Sequence, residues 1–221
     1  MTAVLTPPTT TTSTVERVVL TGVSWETYES LLADIGERSV PRLTYDRGTL
    51  QIMSPTPQHG YYGHILALLI EVLAEEMSQN VRCFGMTTFR RKDLKRGFEP
   101  DTCFYIQNEA HFRGKLDLDF KVDPPPDLLV EVDITSSSLN RFSIFAAFGV
   151  PEVWRFDGER LEIFLLSEGT YEKSEKSEAL PFIIPDALVG FVAESDSLGR
   201  LEWLGKVRGW AREQKEGKRA G

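Results

Sequence analysis

One carboxylate in this chain stands where burial should be most expensive. Glu131 lies inside Leu128-Leu129-Val130-Glu131-Val132, a run that suits a strand covered on both faces. An ionised carboxylate in such a strand destabilises the fold unless it finds a cation or hydrogen-bond donors. Strand side chains repeat every two residues, so Asp133 projects from the same sheet face as Glu131, near the strand's C-terminal end. Asp101 opens another expected strand after Pro100, and pairing of the two strands would bring it to the same cation. Three hard oxygen donors converging in this way favour Mg²⁺ or Mn²⁺ over zinc. The structural alternative is that Glu131 and Asp133 lie at an edge or bind loop amides and Arg141, with Asp101 a turn former. The steps Pro100-Asp101 and Pro126-Asp127 each mark a strand entrance, because proline fixes φ and withholds a donor.

Other residues carry weaker chemistry. His64, Glu71 and Glu75 fall within about 40° of one another on a helical wheel, giving either a flank of metal or proton ligands or a solvated face. His59-Gly60 sits at the entrance of the same helix, where backbone amides can receive an anion and where a histidine can equally serve as a turn residue. Asp127 is four residues before Glu131, over about 10 Å at ~3.3 Å per residue, which suits fixing the proline turn rather than sharing a metal. Arg90, Arg91, Lys92, Lys95 and Arg96 form a basic hairpin tip, either a track for a DNA backbone or a solvated turn.

These residues need elements to position them. Ser24 can cap a short helix running through Ile35 and stopped by Gly36. Arg42 to Asp46 and Thr49 to Met53 flank Arg47-Gly48 as a hairpin. Tyr61 to Met77 has a helical apolar period. Val81 to Arg90 and Asp101 to Ile106 read as a strand and its return. After the apolar strand, Ser136-Ser137-Ser138 offers capping for a helix from about Leu139 to Phe148, ended by Gly149. Strands Glu152 to Asp157 and Leu161 to Leu166 meet at Gly158-Glu159, and helices follow around Asp186 to Glu194 and Leu198 to Gln214. The pattern predicts one α/β domain around a mixed β-sheet flanked by helices, with an extra N-terminal helix and hairpin. Its expected bounds are a disordered Thr/Pro-rich leader over 1–14, the domain over 15–205, and a basic helix end and tail over 206–221.

Composition narrows the partners. The chain has 221 residues, 41% of them apolar, with 25 Lys plus Arg against 33 Asp plus Glu and a net charge of -8. A collagen-like, disulfide-stapled or wholly disordered protein is excluded. So is a protein that coats nucleic acid by bulk electrostatics, so a phosphate-bearing substrate would need a local cationic site or a metal. Two cysteines, Cys83 and Cys103, lack the spacing of a zinc site and suit a reducing cytoplasm, and no apolar run is long enough to cross a bilayer.

The stretch PPPDLLVEVDITSSSLNRFSIFAAFGVPEVWRFDG, with GFEPDTCFYI and SPTPQHGYYGHILALL before it, resembles the Uma-type family of restriction-endonuclease-like proteins in the PD-(D/E)XK nuclease superfamily. The resemblance spans roughly Arg42 to Leu166. It implies a restriction-endonuclease-like fold and a metal-dependent site on two neighbouring strands that hydrolyses phosphodiester bonds of DNA. Asp101 then matches the aspartate of the first Pro-Asp step and Glu131 the second acid. The residue two beyond that acid, commonly Lys in the superfamily, is Asp133 here, and the basic position on the following helix is Arg141. What the resemblance implies is a Mg²⁺- or Mn²⁺-dependent endonuclease with Asp101, Glu131 and Asp133 around the metal and Arg141 on the phosphate. Glu71 and His64 are secondary additions from the preceding helix. A catalytically silent module that binds nucleic acid or a protein partner is the alternative. A two-fold homodimer is the expectation from symmetry for double-strand cutting.

Overall fold

The computed structural model describes residues 16–36, 38, 40–134 and 139–217. The expected leader and the Ser136-Ser137-Ser138 cap lie outside the described residues. Eleven strands and five α-helices are built from the rest, in two sheets.

The first sheet is antiparallel and forms from β1 (Glu16–Leu20), β2 (Arg42–Asp46), β3 (Thr49–Ser54), β5 (Phe89–Arg91) and β6 (Arg96–Phe98), in the order β1-β3-β2-β6-β5. Arg47-Gly48 makes the tight turn between β2 and β3, with both residues at positive φ. Helix α1 (Trp25–Ile35) is capped by the Ser24 hydroxyl, which accepts from Thr27 N at 3.1 Å, and stops at Gly36. Trp25 and Tyr28 of α1 pack on Leu43, Tyr45 and Leu50, which accounts for the expected N-terminal helix and hairpin.

The second sheet is mixed, in the order β11-β10-β9-β8-β7-β4. It holds β4 (Arg82–Cys83), β7 (Thr102–Tyr105), β8 (Leu128–Val132), β9 (Glu152–Phe156), β10 (Leu161–Ser167) and β11 (Thr170–Ser174). Among the described residues, only β8 and β9 pair in parallel, with α3 (Arg141–Phe148) between them in the chain. Helices α2 (Pro57–Glu76), α4 (Pro185–Glu194) and α5 (Arg200–Gly217) cover one face, and α3 covers the other. Leu128, Val130 and Val132 face the first group, while Leu129 faces Ile144 and Phe145 of α3. Both faces of β8 are thus buried, as its unbroken apolar run requires. Phe89 and Phe98 of the first sheet pack into the α3 side of the second, joining the two layers.

Several elements differ from expectation. Helix α2 begins at Pro57, because Thr56 caps it by accepting from His59 N at 3.2 Å and Pro57 suits the first turn. His59 is therefore a helical residue and not part of a preceding turn. The single strand expected over Val81 to Arg90 is divided: β4 pairs with β7 in the second sheet, and β5 pairs with β6 in the first. Asn140 stands at the α3 N-terminus without a side-chain capping bond. Strand β11 extends the Leu161 hairpin through a turn with Glu168 and Gly169 at positive φ.

Candidate active site

The β7–β8 ladder sets the first distance in the site. Thr102 pairs with Val130, so Asp101, one step back, stands across from Glu131, one step forward. Parallel pairing of β8 and β9 places Arg155 beside Glu131. Asp133 leaves the strand just after its end, with its amide donating to Phe156 O at 2.7 Å. The three acids expected to converge thus come to the same end of the sheet.

Their partners differ. Asp101 is 8% exposed and tightly engaged. Its Oδ1 receives His59 Nε2 at 2.6 Å and Arg42 Nη1, and its Oδ2 receives Val132 N at 2.7 Å. Burial alone would raise this carboxyl; the His59 hydrogen bond and the Arg42 and His59 charges outweigh burial and hold it at about 2. Gly63 on α2 lies beside Asp101, where a methyl would make ordinary van der Waals contact with the Asp101 Cβ at 3.6 Å.

Glu131 is 6% exposed. Arg141 Nη1 donates to its Oε2, and Arg141 Nη2 donates to Glu99 O at 2.8 Å. Its other oxygen, Oε1, is buried with no hydrogen-bond partner among the described residues. Burial pushes the Glu131 carboxyl up to about 8; Arg141 and Arg42 oppose that rise, and the Asp101 and Asp133 charges add to it. Asp133 is also raised by burial, against the opposing charges of Arg17, Arg155 and Arg141. Arg17 of β1 lies 3.9 Å from Asp133 Oδ1, an atom that is buried without a hydrogen bond among the described residues.

A cavity of about 330 Å³ opens on this group. Glu131, Asp133, His59, Arg17, Arg141 and Arg155 contribute to its wall. Two carboxylates, each with a buried oxygen that lacks a hydrogen-bond partner among the described residues, set among three guanidinium groups, can hold a cation and an anion side by side.

Among the described residues, no three His, Cys, Asp or Glu side chains stand as a ready metal-ligating group. The donor set nevertheless suits a hard divalent ion. Glu131 Oε1 and Asp133 Oδ1 are oxygen donors that lack hydrogen-bond donors among the described residues, whereas both Asp101 oxygens are engaged.

The remaining candidates go elsewhere. His64 and Glu71 are exposed on α2 and line a separate hollow of about 500 Å³, which Asp101 also borders. Glu75 receives Arg208 at 3.1 Å, and Glu76 receives Arg208 and Arg212 at 2.7 and 2.9 Å. Part of the basic C-terminal stretch therefore docks α5 on α2. Asp127 accepts Ile106 N at 2.6 Å and Asn108 N at 3.1 Å, so its carboxylate secures the loop after β7 and not the proline turn expected of it. Sequence reasoning missed Arg42, Arg17 and Arg155 as neighbours of the acids. The Thr56-Pro57 cap was the available signal that His59 belongs to a helix; no local signal points to the arginines.

No curated protein matches the chain. A solved structure described as "a putative nuclease belonging to DUF820 from Anabaena variabilis ATCC 29413" is similar, at 14% identity and a TM-score of 0.49, over 82% of this chain and 99% of that one. Among the described residues, no helix is long and apolar enough to cross a membrane. The family model Uma2, described as "Putative restriction endonuclease", matches residues 25–196, a span that contains Asp101, Glu131, Asp133 and Arg141. The chain belongs to the Uma2 family.

Proposed function

We propose that this protein is a metal-dependent endonuclease that hydrolyses DNA phosphodiester bonds in the Glu131 cavity. The observation that carries the reading is the buried, unpartnered Glu131 Oε1 beside Asp133, with three arginines around the same cavity. In this reading Glu131 and Asp133 would hold Mg²⁺ or Mn²⁺, with Asp101, across the β7–β8 ladder from Glu131, as the third acid. The ion supplies a lowered water pKa and offsets the charge of the phosphodiester.

The side chains divide the other work. Arg141 is committed to Glu131 and to Glu99 O, so it fixes the Glu131 rotamer and supplies fixed positive charge. Arg155, which also donates to Glu162 at 2.6 Å, and Arg17 face the cavity from two other elements and share the phosphate with Arg141. Arg stays protonated at ordinary pH, so these groups stabilise charge and do not act as bases. His59 and Arg42 keep Asp101 ionised and oriented. A homodimer would place one such site on each DNA strand.

The test is nicking of supercoiled plasmid with Mg²⁺ or Mn²⁺ by the wild type, Asp101→Ala and Glu131→Ala. Loss of cutting in both variants supports the assignment. Equal cutting by all three proteins would place the activity elsewhere. The silent-module reading draws on the engaged state of Asp101; binding of DNA without metal-dependent cutting would favour it.

A further inference from the structure

The basic hairpin tip has no part in the chemistry above, yet the fold joins it to a second turn. Arg47 N donates to Lys95 O at 2.9 Å, so the β2–β3 and β5–β6 turns lie side by side. Arg47, Lys92 and Lys95 border one hollow of about 400 Å³ with Ser24, Glu26 and Gly48. The opposing carboxylates are Glu26, 3.4 Å from Lys92, Asp46, which binds Arg47 at 3.0 Å and Arg96 at 2.8 Å, and Asp93, which Arg91 neutralises at 2.5 Å. Arg47, Lys92, Lys95 and Arg96 outnumber them, on a chain whose net charge is -8. Positive charge is therefore concentrated locally against an acidic background.

The backbone adds a second observation. Arg47 and Lys95 have φ of 46° and 50°, a left-handed region where Gly or Asn would sit with less strain. Both turns keep a cation in these positions. Strand β2 then sets the spacing to Asp101, which stands across the ladder from Glu131. Arg42 at one end touches Asp101, and Asp46 at the other leads into Arg47. At ~3.3 Å per residue, the five steps from Arg42 to Arg47 cover about 16 Å, or about five steps of a duplex at ~3.4 Å per step.

We propose that Arg47, Lys92 and Lys95 form a docking surface for the phosphate backbone of duplex DNA, flanking the segment whose scissile phosphate enters the Glu131 cavity. This rests on the nuclease reading and extends it to a second, non-catalytic site of attachment. Backbone attachment of this kind sets register and salt dependence and carries no base information.

The test is binding of the full chain to a fluorescently labelled duplex, followed by anisotropy with Ca²⁺ in place of Mg²⁺, from about 50 to about 200 mM salt. Arg47→Asn/Lys92→Gln/Lys95→Asn uses Asn where φ is positive. Its slope of log affinity against log salt should be shallower than wild type by about 0.9 for each phosphate that is no longer neutralised. Lys92→Glu, which alters no positive-φ residue, should by itself weaken binding and flatten the slope, covering the case in which the triple variant does not fold. Lys176→Gln, just beyond β11 at the edge of the other sheet, should keep the wild-type slope. A wild type that binds duplex while both hairpin variants retain its slope overturns this proposal alone. A wild type that binds no duplex across the range overturns the nuclease reading and this proposal with it.

Discussion

Arg141, at the first position of α3, donates to the Glu131 carboxylate buried in the middle layer of the mixed sheet. This pair sets how much of the site's charge the fold can tolerate. Removing the guanidinium leaves a buried carboxylate without its cation, so Arg141→Met should cost about 3 kcal/mol where Glu131 is ionised. Where Glu131 is protonated the cost should be smaller. Urea unfolding on either side of the Glu131 titration measures both, and an equal cost at both pH values would contradict the pairing.

Glu131 itself gives stability a pH slope. Its carboxyl is pushed from an ordinary 4.5 to about 8 by burial in the folded chain. Between these values the folded protein holds a proton that the unfolded chain has released, so stability falls as pH rises through the window and levels off above it. Glu131→Gln should remove that contribution. Denaturation of both proteins across this range tests it, and parallel curves would refute the buried titration. Asp101, held at about 2, has the opposite sign: its contribution is present above the ordinary carboxyl value and is lost as pH falls through about 2.

The same proton competes with a metal ion. Mn²⁺ should raise the melting temperature of the wild type more strongly as pH increases toward about 8. Glu131→Gln should lose most of that gain. Thermal melts with and without Mn²⁺ at several pH values provide the measurement, and a pH-independent gain would place the ion elsewhere.

His59 lies 2.6 Å from Asp101 Oδ1 and is 2% exposed. His59→Ala should destabilise the protein by about 1–3 kcal/mol, since it leaves a buried acceptor short of a donor. It should also raise the Asp101 carboxyl, because the His59 hydrogen bond is the largest effect lowering it. NMR titration of Asp101 in the wild type and variant separates these effects; an unmoved Asp101 would remove His59 from the site.

Asp127 provides the contrast. Asp127→Asn disturbs the bonds to the Ile106 and Asn108 amides and should cost about 1–3 kcal/mol in urea unfolding. Nicking per folded molecule should be unchanged, because these bonds secure a loop and not the cavity. Loss of nicking with intact folding would make Asp127 part of the site.

The sequence alone determined most of the elements and the central acid. Apolar periodicity marked β8 and much of α2, turn chemistry marked the Arg47-Gly48 hairpin, and the cost of burying a carboxylate singled out Glu131. Two-residue alternation put Asp133 on its face, and the family resemblance matched Asp101 to the first Pro-Asp step. Tertiary structure decided what surrounds those acids. Arg17, Arg42 and Arg155 come from three strands, and nothing local in their sequence positions tells which carboxylate each will meet. The division of Val81 to Arg90 between two sheets was equally hidden, because local propensity names a strand but not its partner. Local patterns follow from the backbone's own periodicities, whereas the charge environment of a buried acid is the sum over elements that meet only when the layers pack.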